Sequence, residues 1–123
     1  MRKVLFLTLI FLCGCNYTTT LNVETIPSSI QIPCVIDFSA TYCGWCKKYK
    51  PVFDVVSEQM KDKDIHFYYM NTSESDQAYN LSETFDISSI PATIFIDKNK
   101  IVHKVVGYMG EGTLKSNIKD YIR

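Results

Sequence analysis

The chain has 123 residues, enough for one domain and not for two. Its 46% hydrophobic content, with seven Phe and eight Tyr, is ordinary for a globular protein that must fill a small core. Thirteen basic residues balance thirteen acidic ones with no long basic patch, internal repeat or low-complexity tract, so charge gives no reason to expect a nucleic-acid partner.

The N-terminal stretch reads as a targeting segment. Met1-Arg2-Lys3 is positive, and Val4 to Leu12 is almost unbroken apolar sequence. That run is shorter than the roughly 20 apolar residues a bilayer span needs, and it fits the apolar region of a secretory signal peptide. Leu12-Cys13-Gly14-Cys15 resembles the lipobox of bacterial lipoproteins. The resemblance implies cleavage after Gly14, acyl chains on Cys15, and a membrane-anchored protein facing the periplasm or cell exterior. Several chains are needed, because one alone binds a bilayer only marginally. Ordinary secretion and an uncleaved anchor are the alternatives. Loss of residues 1–14 would remove Arg2 and Lys3 and leave a net charge of −2. Residues 15–33 then form the lipidated cysteine and a Thr-, Ser- and Pro-rich tether, in which Leu21 and Val23 alternate with polar residues as in a short edge strand.

The domain proper is expected over 34–123. Cys34 to Phe38 has the look of a buried strand with one misfit, Asp37. From Trp45, the residues Tyr49, Val52, Phe53, Val56 and Met60 fall at helical spacing, with Lys47, Lys48, Lys50, Asp54 and Glu58 on the other faces. Pro51 lies inside that helix and should kink it. Ile65 to Met70 reads as a second strand, and Ala78, Leu81 and Phe85 mark a second helix. Ile90-Pro91 leads into a third strand, Ala92 to Ile96; Asp97 to Lys100 is a hairpin-type turn; Ile101 to Val106 is a fourth strand, stopped by Gly107. Leu114, Ile118, Tyr121 and Ile122 give a last helix. This order predicts an α/β fold with a central mixed sheet of about four strands flanked by helices.

The chemistry centres on Cys43-Gly44-Trp45-Cys46. Two cysteines with this spacing at a strand-to-helix junction suit thiol exchange. Unpaired N–H groups and the helix dipole stabilise a thiolate at Cys43, and Cys46, one turn on, can close a disulfide with it. A zinc half-site is the weaker reading, since structural zinc takes four ligands and only Cys34, His66 and His103 remain, at no recognisable spacing. A purely structural bridge would close so short a loop that it would constrain the unfolded chain little. Cys34 reads as a small buried hydrophobe, with a regulatory thiol as the alternative. No metal or cofactor is expected.

The segment Asp37 to Pro51, Ile90-Pro91-Ala92-Thr93 and Val106-Gly107 together resemble the active-site segment, the cis-proline segment and the late glycine of the thioredoxin superfamily, in the family order. The resemblance implies the thioredoxin fold over roughly 34–122, with the part before Cys34 too short for a complete first strand and helix. It implies Cys43 as nucleophile, Cys46 as resolving thiol and disulfide partner, and Asp37 as a buried acid that moves protons for Cys46. It also implies substrate binding by Trp45, by the backbone of Ile90 and by a cis Pro91. Three positions depart from the family: Gly44-Trp45 stands for Gly-Pro, Tyr42 for Trp, and the lysine beside the buried acid is replaced near Tyr69. Proton handling is therefore expected to differ.

The function expected is a thiol–disulfide oxidoreductase, a reductant or isomerase, acting on cysteine-containing exported proteins and reset by a separate redox partner. The rivals are a membrane-tethered, non-catalytic binding module and a carrier of Cu(I). The cysteine pair disfavours the first, and the lack of a nearby Met or His ligand motif disfavours the second.

Overall fold

A computed structural model describes residues 26–123, together with the backbone of 19–21. The signal-peptide and lipidation expectations, Cys15 included, lie outside the described residues. So do Val23 and the rest of 15–18 and 22–25 in the tether.

The elements follow in the order β1 (Thr19–Leu21), β2 (Cys34–Ser39), α1 (Gly44–Gln59), β3 (His66–Asn71), α2 (Asp76–Thr84), β4 (Ala92–Ile96), β5 (Val102–Val106) and α3 (Glu111–Tyr121). The strands form one mixed sheet in the order β1-β5-β4-β2-β3. β2 and β3 are parallel, and the β2–β4, β4–β5 and β1–β5 pairs are antiparallel. This is the thioredoxin fold: a four-stranded mixed sheet with three helices, extended at one edge by the short β1. The edge strand includes Leu21 but begins two residues earlier, at Thr19. Among the described residues no helix lies between β1 and β2, and none of the helices is long and apolar enough to cross a membrane.

β2 and β4 are buried on both faces, which is why CVIDF and ATIFI are nearly continuous apolar runs rather than alternating ones. Their side chains still alternate between two cores. Cys34, Ile36, Phe38, Ala92, Ile94 and Ile96 pack with Leu81 and Phe85 of the α2 segment. Val35 and Phe95 point the other way, against Tyr49, Phe53 and Val56 of α1 and Leu114 and Ile118 of α3. Asp37 and Thr93 are register partners on that second face. Burying one large side chain of this kind contributes about 1.5–3 kcal/mol.

Helix α1 begins abruptly after Cys43, whose extended backbone (φ −95°, ψ 111°) makes it the N-cap. The helix continues through Pro51 to Gln59. Ser75 caps α2, its hydroxyl accepting from the Ala78 N–H at 3.2 Å. In the β4–β5 turn one carboxylate oxygen of Asp97 accepts from the N–H groups of Asn99 and Ile101 at 2.8 and 2.9 Å.

Candidate active site

The C-terminal end of β2 delivers the chain to the N-terminus of α1 through Ala40, Thr41 and Tyr42. This loop is pinned from two sides. The Cys43 N–H donates to the Ala40 carbonyl at 3.1 Å, and the Thr41 N–H donates to the Ser73 hydroxyl at 3.1 Å. Cys43 and Cys46 are joined in a disulfide with their Cα atoms 5.2 Å apart. The Cys46 N–H donates to Cys43 Sγ at 3.1 Å, so a first-turn helix donor points at the sulfur that would carry negative charge. The first turn holds no acidic side chain, and Lys47 and Lys48 follow at once. Cys43 is partly exposed whereas Cys46 is 1% exposed. With Cys46 buried, attack from solvent falls to Cys43.

The opposite wall comes from the β4 and β5 ends of the sheet. The Ile90–Pro91 peptide is cis, and the Ile90 carbonyl oxygen lies 3.9 Å from Cys43 Sγ. Gly107 (φ +105°) adopts a backbone conformation that L side chains rarely take. That geometry aims its N–H at the Pro91 carbonyl, 2.7 Å away. Trp45, Ile90, Pro91, Gly107 and Tyr108 line a mostly apolar groove of about 480 Å³ beside the disulfide. The Trp45 and Tyr108 rings touch at 5.8 Å between centroids, and the Lys48 ammonium sits 4.6 Å over Trp45. Tyr42 stands outside this groove, 82% exposed. Sequence reasoning named Trp45, Ile90 and Pro91 but not Tyr108. Its position directly after the glycine that ends β5 was the available signal.

Asp37 is fully buried beneath the disulfide-bearing helix. Neither carboxyl oxygen has a hydrogen-bond partner among the described residues. Burial pushes its pKa up from 3.8 to about 7; Lys50 opposes that rise and Asp54 adds to it. On the same face, the Tyr49 hydroxyl and the Thr93 hydroxyl form a buried 2.8 Å hydrogen bond. Burial likewise raises the Tyr49 pKa, so its ring stays neutral. Sequence reasoning placed Tyr49 only on the apolar stripe of α1, and its hydroxyl partner is visible only once β4 is aligned beneath the helix.

Cys34 lies at the far end of β2, fully buried, its thiol pushed up to about 12 by desolvation. His103 stacks on Tyr121 with centroids 4.2 Å apart, a packing contact remote from the disulfide. Among the described residues there is no group of three or more His, Cys, Asp or Glu side chains that could hold a metal ion.

The thioredoxin family model matches residues 16–120. A thioredoxin of Mycoplasmoides gallisepticum is 34% identical over 85 residues, covering 69% of this chain and 80% of that protein. A thioredoxin of Borreliella burgdorferi is 32% identical over 89 residues, covering 72% of this chain and 73% of its own length. The solved structure of Malassezia sympodialis thioredoxin superposes with a TM-score of 0.60 at 30% identity, covering 72% of this chain and 73% of that one.

Proposed function

Because this chain belongs to the thioredoxin family, and is by that kinship and its redox pair a protein-disulfide oxidoreductase, we propose that it reduces or isomerises disulfides in exported proteins while held at a membrane by lipid on Cys15. The observation that carries the chemistry is the asymmetry of the pair: a partly exposed Cys43 at a helix N-terminus, its sulfur beside the Ile90 carbonyl, with Cys46 buried.

In the dithiol form, the Cys43 thiolate attacks one sulfur of a client disulfide; a new S–S bond forms and the other client sulfur leaves as thiolate. The backbone of Ile90, next to Pro91, pairs with an extended client segment, as in strand addition. The apolar groove between Trp45 and Tyr108 receives a neighbouring side chain. Cys46 then loses its proton to Asp37 and attacks Cys43 Sγ, the mixed disulfide breaks, and the client departs as a second thiolate. Two electrons have passed from the enzyme dithiol to the client disulfide. Asp37 fits the role of base because its affinity for a proton is matched to neutral pH. The export half of the reading is supported by the basic start, the apolar run and the Leu12-Cys13-Gly14-Cys15 segment.

The test is reduction of insulin disulfides by the protein supplied with dithiothreitol. Cys43→Ser abolishes catalysis, whereas Cys46→Ser accumulates mixed disulfides with clients. Unchanged turnover in Cys43→Ser would overturn the assignment.

A further inference from the structure

The groups that face Asp37 come from three elements. β3 contributes Tyr69, its register partner, and β4 contributes Thr93. From α1 come buried Tyr49, which feels the charge of Asp37, together with Lys50 and Asp54, whose charges both act on Asp37. Lys50 is the cation in this set. Its sequence position suggests a solvated helix face, where a lysine ordinarily extends into water. The structure holds it otherwise. Its ammonium lies 4.5 Å over the Tyr69 ring and 2.8 Å from Asp54 Oδ2, with only 39% of the side chain exposed. A cation seated on an aromatic face is attracted to it. Because Tyr69 is beside Asp37 in the sheet, that seat brings the ammonium toward the buried carboxyl rather than away from it.

We propose that Lys50 is a positioning residue for the resolving step: its ammonium, seated on Tyr69 and tied to Asp54, sets how readily Asp37 accepts the proton of Cys46. The proposal rests on the reading of Asp37 as the base. Proton bookkeeping is simple. The Cys46 thiol proton passes to the Asp37 carboxylate, the Cys46 sulfur bonds to Cys43, and the client sulfur leaves with the electron pair of the broken bond. The charge of Lys50 favours ionised Asp37, and that of Asp54 opposes it. The two substitutions therefore act in opposite directions, a pattern that loss of packing would not produce.

The experiment follows the Asp37 carboxyl by carbon NMR across pH 5 to 9 in the disulfide form, where neither Cys43 nor Cys46 titrates. Lys50→Met should raise the Asp37 midpoint, Asp54→Asn should lower it, and Lys50→Arg should restore it. A rise of about half a pH unit, modest because Lys50 is partly solvated, would cut the ionised fraction at pH 7 about twofold. The acid limb of mixed-disulfide resolution should move with the midpoint. Midpoints that stay in place, or that move the same way in Lys50→Met and Asp54→Asn, would overturn the proposal. Failure of the unsubstituted protein to reduce insulin would instead overturn the enzymatic reading, and the midpoints would still decide whether Lys50 governs Asp37.

Discussion

Asp37 should make the folded protein less stable as pH rises. The carboxyl titrates at about 7 in the fold against an ordinary 3.8, so the folded state binds the proton more tightly than the unfolded chain. Below 3.8 both states are protonated and the stabilising contribution is fully present. Between 3.8 and about 7 only the folded state keeps the proton, and unfolding releases it, so stability falls with pH. Above about 7 the loss is complete. At about 1.4 kcal/mol for each tenfold change in proton affinity, the interval is worth about 4 kcal/mol. That is a large share of the roughly 5–15 kcal/mol that holds a typical domain together. Asp37→Asn has no proton to lose there. Urea unfolding of both disulfide-form proteins from pH 3 to pH 9 isolates the contribution, since every other titrating group is common to the two. The gap between variant and wild type should move in the variant's favour by about 4 kcal/mol across that range, with its midpoint between 3.8 and about 7. A gap that is flat from pH 3 to pH 9 would show that Asp37 ionises in the fold as freely as in water, and would remove the basis for its role as a base.

Three other outcomes follow from separate features. Phe53 is 2% exposed between Tyr49 and Phe67, so Phe53→Ala should cost about 3–5 kcal/mol in denaturant unfolding with the redox pair intact. At Gly107 a Cβ would meet nothing within 4 Å, but φ is +105°. Gly107→Ala should therefore cost about 1–3 kcal/mol from backbone strain alone, and should lower turnover by disturbing the 2.7 Å link to Pro91. If Cys15 carries the anchor, Cys15→Ala should release the protein from membranes or leave it unprocessed. Mass spectrometry of the mature chain finding unmodified Cys15 would refute the anchor.

Much of the sheet was legible because β2 and β4 are buried on both faces and so announce themselves as short apolar runs, with Asp37 the visible exception. The redox pair was legible because its spacing and its place after a strand leave few other uses. The edge strand was harder: three residues paired only with β5 leave little pattern, and of the expected alternation of Leu21 and Val23 only Leu21 falls within them. Lys50 was read as one more lysine on a solvated face, since nothing in a linear sequence shows that a helix residue will cross to Tyr69 on β3. The Tyr49–Thr93 hydroxyl pair escaped for the same reason, its members being 44 positions apart. Local periodicity reports which face a side chain takes, and long-range register decides what it meets there.

The sheet also works as an insulator. Cys34 projects into the core beneath α2, whereas Cys43 caps α1 on the other side and Cys46 lies in its first turn. Cys34 is also the first residue of β2, five residues before the strand ends near the disulfide, or roughly 16 Å along an extended chain. A third thiol within reach of a redox pair would scramble it. Here a layer of paired strands keeps the spectator sulfur out of exchange for as long as the protein stays folded, so that any modification of Cys34 becomes a record of the fold having opened.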